Sequence, residues 1–280
     1  MLLGIHLSAA GGMAATARRA AELDLQAVQI FTANQRRWRS PPIPPEEAEA
    51  FRREMKVPVL SHASYLINPA GSREGVTARS RLALAGELER MAQLGVDWAV
   101  LHPGSHLGDG PGRGIDRAAS MIGAALEASP RGGILLENTA GMGSSLGADL
   151  AELAAIARLV AAPQRVGFCI DTAHLHGAGY DLRPEAPPEA TVARIAEELA
   201  GGRVRAFHLN DSLAGRGSRR DRHQSVGKGG IGLQALGMLA AMEEFEDVPA
   251  VVETPGTDAD RAEDVRLIEG RVRSIRDARA

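Results

Sequence analysis

Gly133-Ile-Leu-Leu-Glu137, Ala148-Asp-Leu-Ala-Glu-Leu-Ala-Ala-Ile-Ala-Arg-Leu-Val160 and Val166-Gly-Phe-Cys-Ile-Asp171 follow one another in the middle of the chain and have the composition of a strand, a helix and a second strand. The two outer runs are short and almost wholly apolar, without the alternation of a strand that keeps one wet face, so they suit parallel strands covered on both sides. The Ala- and Glu-rich segment between them suits the crossover helix that parallel pairing requires. Each strand finishes on a carboxylate, Glu137 or Asp171.

The same unit recurs in both directions from this stretch. Strands are predicted at residues 2–7, 27–31, 57–62, 98–102, 133–137, 166–171, 204–210 and 250–253. Helices are predicted at 13–23, 46–55, 78–94, 116–127, 148–160, 189–200, 233–243 and 261–276, many opening after Gly, Pro, Thr or Asp and closing near Gly or Pro. No linker divides them, and the proline-rich residues 40–45 are too few for a hinge. Eight right-handed units close most simply into a single (β/α)8 TIM barrel, an α/β fold expected to use residues 1–280 as one catalytic domain. Such a barrel carries its chemistry at the C-terminal rim of the strands.

Composition narrows the function. The chain is 44% hydrophobic and 24% charged, the balance of a folded soluble protein. Its net charge is −3, so nucleic acid is not held by bulk charge and an anionic substrate must be met locally. One cysteine, Cys169, allows no internal disulfide, fits a reducing compartment and reads as a small buried hydrophobe. No run approaches the ~20 apolar residues of a membrane helix, and the N-terminus lacks an export signal's basic start. A cytoplasmic location with no membrane partner is therefore expected. Gly11-Gly12 and residues 227–232 are glycine-rich but lack the context of a nucleotide-binding loop, so turns explain them and no nucleotide cofactor is expected.

At or near the predicted strand ends stand His6, Phe31, His62, His102, Glu137, Asp171, His208 and Glu253. A lone histidine in such a place is usually a hydrogen-bonded structural residue. A barrel rim brings them all together, and imidazoles and carboxylates within a few Å would repel or desolvate one another without a cation among them. Two further spacings extend the ring: Asp171 with His174, and Asp221 with His223 in an Asp-x-His, whose side chains leave an extended loop on one face. The candidates are His62, His102, Glu137, Asp171, His174, His208, Asp221, His223 and Glu253. Five neutral imidazoles and four carboxylates carry a formal −4, and the lack of cysteine ligands favours zinc, manganese or iron over a zinc-thiolate site. Three dications at about three protein ligands each would use the whole set and leave a positive centre that attracts phosphate.

With Gly4-Ile-His-Leu-Ser-Ala-Ala-Gly-Gly12, Phe31-Thr-Ala-Asn-Gln-Arg-Arg-Trp38, His62-Ala-Ser-Tyr-Leu-Ile-Asn68, His102-Pro-Gly-Ser-His106, Glu137-Asn-Thr-Ala-Gly141, Cys169-Ile-Asp-Thr-Ala-His174, Gly179-Tyr-Asp181, His208-Leu-Asn-Asp211, Gly217-Ser-Arg-Arg-Asp-Arg-His223 and Glu253-Thr254, the chain resembles the endonuclease IV family of zinc-dependent apurinic/apyrimidinic (AP) endonucleases. The resemblance spans residues 4–253 and implies a TIM barrel. It implies that all nine candidates are metal ligands. His62 and His102 would hold one zinc, and Glu137 would bridge it to a second that Asp171, His208 and Glu253 complete. His174, Asp221 and His223 would hold the third. The implied cofactor is three Zn2+ per chain, with Mn2+ or Fe2+ an option at one position. The implied activity is DNA repair: a metal-bridging hydroxide cuts the phosphodiester 5′ to an abasic site in duplex DNA, leaving a 3′-hydroxyl and a 5′-deoxyribose phosphate. Glu137 and Glu253 are expected to be the catalytic carboxylates. Blocked 3′ ends are a second implied substrate, through a 3′-phosphodiesterase activity, and a monomer is expected.

Recognition falls to other residues. Those matching Arg36, Tyr65 and Leu66 wedge into the base stack in the family, which makes these three the expected DNA contacts. Arg219, Arg220, Arg222 and Lys228 are placed to grip phosphates. His6 has no place in the ligand set and is expected to hydrogen-bond behind it. His106 and His176 are left over, with an exposed loop position expected for His176. Two alternatives stand beside this: a divalent-metal sugar isomerase or epimerase on a similar barrel, and a non-catalytic DNA-binding protein. The isomerase has no evident use for His62, His102, His174 and the Asp221-x-His223 pair together, and no ligand position is degraded as a non-catalytic protein would allow.

Overall fold

Short apolar runs become the staves of a barrel because each is buried on both faces; every residue of Gly133–Glu137 and of Val166–Asp171 is buried. The computed structural model describes residues 1–183, 188–201 and 203–279. In chain order, β1 (Leu2–His6), α1 (Met13–Glu22), β2 (Ala27–Ile30), α2 (Pro45–Glu54), β3 (Val59–His62), α3 (Glu74–Leu94), β4 (Trp98–Leu101), α4 (Pro111–Ala128) and β5 (Gly133–Glu137) form the first part. Then come α5 (Leu150–Leu159), β6 (Val166–Asp171), α6 (Thr172–Ala178), α7 (Pro188–Glu198), β7 (Val204–His208), β8 (Asp211–Ser212), β9 (His223–Gln224), α8 (Gly232–Ala240), β10 (Pro249–Val252) and α9 (Asp258–Asp277). Strands β1 to β7 and β10 close into a parallel barrel, with β10 pairing β1 on one side and β7 on the other.

The predicted strands and helices are all present, with ends that move by a few residues. Several strands stop a residue or two before the polar group that follows them, so His102 and Glu253 stand just beyond β4 and β10. Helix α3 begins at Glu74 rather than residue 78, and α8 ends at Ala240 rather than residue 243. Caps explain several ends: Gly95 closes α3 in the left-handed region, Asp149 accepts from the Ala151 amide at the start of α5, and Thr257 with Asp260 forms a capping box on α9. At Gly4 the barrel needs glycine outright, because a Cβ there would stand 1.7 Å from the Ala27 oxygen of the neighbouring strand.

Two elements were not predicted. Helix α6 is too short to show a periodic pattern and is started by Asp171, whose carboxylate accepts from the His174 amide at 2.7 Å. The ribbon β8–β9 is antiparallel and stands apart from the barrel, pairing Asp211 with Gln224 and Ser212 with His223. The main apolar core lies between sheet and helices, while Leu60, Val100, Leu135, Cys169 and Ala206, with Trp98 against them, fill a smaller second cluster. Cys169 is fully buried, which pushes its thiol pKa up to about 11. No helix among the described residues is long and apolar enough to cross a membrane.

Candidate metal centre

The barrel gathers the predicted donors at one end. His62 and Glu137 close β3 and β5, Asp171 and His208 close β6 and β7, and His102 and Glu253 follow β4 and β10. His102 Nε2 lies 2.7 Å and His62 Nε2 3.3 Å from Glu137 Oε2. The other oxygen of Glu137 is 2.9 Å from His208 Nδ1, which is also 3.1 Å from Glu253 Oε2 and 3.8 Å from Asp171 Oδ2. Two groups have all their donor atoms within 4.8 Å of one another: His62, His102 and Glu137, and Glu137, Asp171, His208 and Glu253. Glu137 belongs to both, its two oxygens facing different ways.

The third group differs in one member from the expectation. Asp171, His174 and His223 form the compact set, and Asp221 lies outside it. Asp221 is nonetheless in contact with both histidines, its Oδ2 3.3 Å from His174 Nε2 and its Oδ1 3.2 Å from His223 Nε2. Its side chain is 43% exposed, whereas that of Asp171 is wholly buried. All nine predicted donors are thus brought together, and Asp171 faces the second and third groups alike.

Hydrogen bonding tests whether this arrangement fits metal ions. Four imidazoles commit one nitrogen to an oxygen outside the ring: His62 Nδ1 to Ala63 O at 2.8 Å, His174 Nδ1 to Asn138 O at 2.9 Å, His208 Nε2 to Gln29 Oε1 at 2.8 Å and His223 Nδ1 to Glu253 O at 3.4 Å. Only an N–H can satisfy those oxygens, so each neutral ring turns its lone-pair nitrogen toward a carboxylate. Lone pair facing lone pair is repulsive unless a proton or a cation lies between. His223 Nε2 is buried and makes no hydrogen bond although two carboxylates are near it. Two donors about 2.0 to 2.1 Å from a tetrahedral zinc stand about 3.3 Å apart, and the His62–Glu137, His174–Asp221 and His223–Asp221 separations are 3.3, 3.3 and 3.2 Å. The residues fit metal ions.

Charge points the same way. Burial opposes a proton on His174 and on His208, yet Asp171, Asp221 and Glu137 around the first, and Cys169, Glu253 and Glu137 around the second, hold both pKa values well above the ordinary imidazole range. Burial likewise opposes ionisation of Glu137 and Glu253, but His102 and His208 beside Glu137, and His208 and His6 beside Glu253, hold both carboxyls well below their usual range. The protein holds its carboxylates charged and draws positive charge to its imidazoles.

Residues outside the predicted ligand set complete the ring. Buried Gln29 donates to Glu253 Oε1 at 2.7 Å and accepts from His208. His6 Nδ1 lies 2.9 Å from Glu253 Oε1, the hydrogen-bonding place expected of it. Asn210 donates to Asp171 Oδ2 at 2.6 Å and accepts from the Glu253 amide at 2.7 Å, and Asn138 exchanges two hydrogen bonds with the Asp171 backbone. Asn138 follows Glu137 directly and Asn210 stands two residues after His208, which was the available signal; Gln29 gave none beyond an amide inside an apolar strand. His106 Nδ1 accepts from the amides of Gly108 and Gly110 ahead of α4. His176 corrects an expectation: it is 3% exposed within α6, not in an exposed loop.

The expected DNA contacts border the ring. Tyr65 is 60% exposed and leans over Phe31, His62 and His102, with ring centroids 5.7, 5.3 and 6.0 Å away. Leu66 beside it is half-buried, Arg36 is exposed, and the Arg36 amide is fixed by Asn34 Oδ1 at 2.9 Å. Arg219, Arg220, Arg222 and Lys228 are also exposed.

A closed parallel barrel with imidazoles and carboxylates converging at one end is the architecture of the xylose isomerase-like TIM-barrel class, and the model of that family matches residues 17–273. A relative from Oleidesulfovibrio alaskensis, "Probable endonuclease 4", is 46% identical over 260 residues, covering 91% of this chain and 88% of its own length. The crystal structure of endonuclease IV from Thermus thermophilus superposes with a TM-score of 0.86 at 35% identity, covering 98% of this chain and all of that one. The chain belongs to the endonuclease IV family. A D-tagatose 3-epimerase-like protein also superposes, with a TM-score of 0.76 over the whole of both chains, but at 17% identity it shares the fold alone.

Proposed function

We propose that this protein is a DNA-repair AP endonuclease that hydrolyses the phosphodiester 5′ to an abasic site in duplex DNA, leaving a 3′-hydroxyl and a 5′-deoxyribose phosphate, with blocked 3′ ends as a second substrate. The observation that carries the proposal is the common orientation of four imidazoles, each anchored outward by one nitrogen and turned on a carboxylate by the other. Family membership supplies the DNA substrate, and the donor chemistry supplies the cofactor, three Zn2+ per chain. His62, His102 and Glu137 would hold one ion, Glu137, Asp171, His208 and Glu253 a second, and His174, His223 and Asp221 the third, with Asp171 close enough to join it. Bound there, zinc supplies positive charge for the phosphate oxygens and acidifies a water to hydroxide near neutral pH.

The chain's own groups do the rest. Glu137 and Glu253 are the catalytic carboxylates: both are held ionised, Glu137 fully buried and Glu253 at the edge of the ring, so they would place negative charge where the cations sit. Gln29 and His6 fix the direction of Glu253. Tyr65 and Leu66, rooted at the end of β3, present apolar surface beside the ring, and Arg36 brings charge from the loop after β2, so together they can prop open the stack where the lesion lacks a base. The epimerase-like alternative shares the barrel but leaves the third donor group idle. The purified protein should nick a duplex carrying one abasic site without added magnesium, and mapping the ends should give a 3′-hydroxyl on the upstream fragment. Isomerisation of a ketose without nicking, or DNA binding without turnover, would reject the proposal.

A further inference from the structure

The ligands of the third group come from two unlike sources. Asp171 and His174 sit on β6 and α6, anchored directly to the barrel, whereas His223 opens β9 of the separate ribbon and Asp221 lies in the loop that joins β8 to β9. That ribbon pairs only Asp211 with Gln224 and Ser212 with His223, extended by the Leu213 amide donating to Arg222 O at 2.9 Å. So short a ladder does not hold its own register, and a slip of one residue would turn His223 to the opposite face.

Something else must fix it, and Asp211 is placed to do so. Its carboxylate is wholly buried and accepts from backbone amides: Ser212 at 2.8 Å, Gly227 at 3.0 Å, Gly229 at 3.0 Å, Ile231 at 2.9 Å and Gly232 at 3.2 Å. Three of these donors lie in the glycine-rich loop that follows β9 and a fourth, Gly232, opens α8, so the carboxylate at the root of β8 grips the chain on the far side of His223. The grip requires glycine: a Cβ on Gly229 would stand 2.4 Å from Asp211 Oδ1 and 2.5 Å from Ser212 O. Gly230 donates to Ser212 O at 2.8 Å, and the ring of His176 lies against its other side. The tip of the ribbon is tied to α6 by the Gly217 amide on His176 O and the Arg219 amide on Gly177 O, both at 2.9 Å. His174 is on that same helix.

We propose that Asp211 is a positioning residue for the third metal group: by gathering the amides of residues 227–232 it sets the register of β8 against β9 and so holds Asp221 and His223 opposite His174. This rests on the proposed metal centre. The glycine run, which the sequence suggested only as turns, is the shell that receives the buried carboxylate.

The test is metal content of the purified holoenzyme. Asp211→Asn keeps the shape but replaces one acceptor oxygen with an N–H2 group that opposes the amides around it. The variant should retain wild-type helical circular dichroism and two tightly held zinc ions, and hold the third about 10- to 100-fold more weakly than the unaltered protein in competition with a chelator. Gly229→Ala should reproduce the selective loss, and it decides the matter should Asp211→Asn fail to fold. Three equally retained ions in a destabilised variant would make Asp211 a merely structural group and overturn the inference. So would parallel loss of all three. Fewer than three ions in the unaltered protein would reject the metal centre itself, and this inference with it.

Discussion

Gln29 shows how much a single amide decides. Its oxygen takes the Nε2 proton of His208, which forces the lone pair of that ring onto Nδ1, and its nitrogen holds Glu253. Gln29→Leu keeps the volume of the buried site but leaves an orphan imidazole N–H and frees the carboxylate. Zinc affinity at the Glu137, Asp171, His208 and Glu253 group should fall about 10- to 100-fold, read by competition with a chromophoric chelator; unchanged affinity would show that the tautomer is set elsewhere. The sequence disclosed the converging donor groups because titratable residues at apolar strand ends are conspicuous. It did not disclose Gln29, because one glutamine in Ala27–Ile30 has no distinctive spacing, and inward orientation is a property of the closed barrel. It misplaced His176 for a related reason: the short α6 that buries it depends on Asp171 acting as a helix cap as well as facing the second and third donor groups.

At the scale of elements, a buried network roots the two loops expected to meet DNA. Glu87 of α3 accepts from Thr32 after β2 at 2.8 Å, from Ser61 of β3, and from Arg90 at 2.8 Å, and Arg90 also donates to Thr32 Oγ1 at 3.0 Å. The Glu87 and Arg90 side chains are 2% and 9% exposed. Removing one charge strands the other in the interior, so Glu87→Ala should cost about 3 to 5 kcal/mol in urea unfolding. Replacing both charges with apolar groups should restore most of that loss; a single change costing under about 1 kcal/mol would show that Arg90 finds water. The network was not legible in advance, since its members come from three elements distant in sequence. The ribbon β8–β9 escaped for want of length, with too few residues to show alternation. The barrel strands were legible because burial on both faces leaves a continuous apolar run, and their ends shifted where a polar group points into the ring instead of pairing along the sheet.

For the whole molecule, the fold was readable from the alternation of strand and helix, but the fold alone does not choose a chemistry: an epimerase-like protein superposes over the full chain. The donor set at the rim carries the proposed chemistry, and it ties the stability of the protein to pH. In metal-free protein the raised pKa values of His174 and His208 contribute stability that is complete below the ordinary value of 6.5 and is lost as pH climbs through the raised values. The depressed pKa values of Glu137 and Glu253 contribute stability that is complete above the ordinary value of 4.5 and is lost as pH falls through the depressed values. Chelated protein should therefore melt highest between about pH 4.5 and 6.5. Zinc, which competes with protons for the same nitrogens, should move the maximum upward. A melting temperature independent of both pH and chelation would contradict the coupling. The most direct test of the central claim is an anomalous difference map recorded at the zinc absorption edge from crystals of the protein as purified. The account predicts three peaks per chain, one against each donor group, with Glu137 touching two of them; one peak, or none in a sample that cleaves abasic DNA, would contradict it.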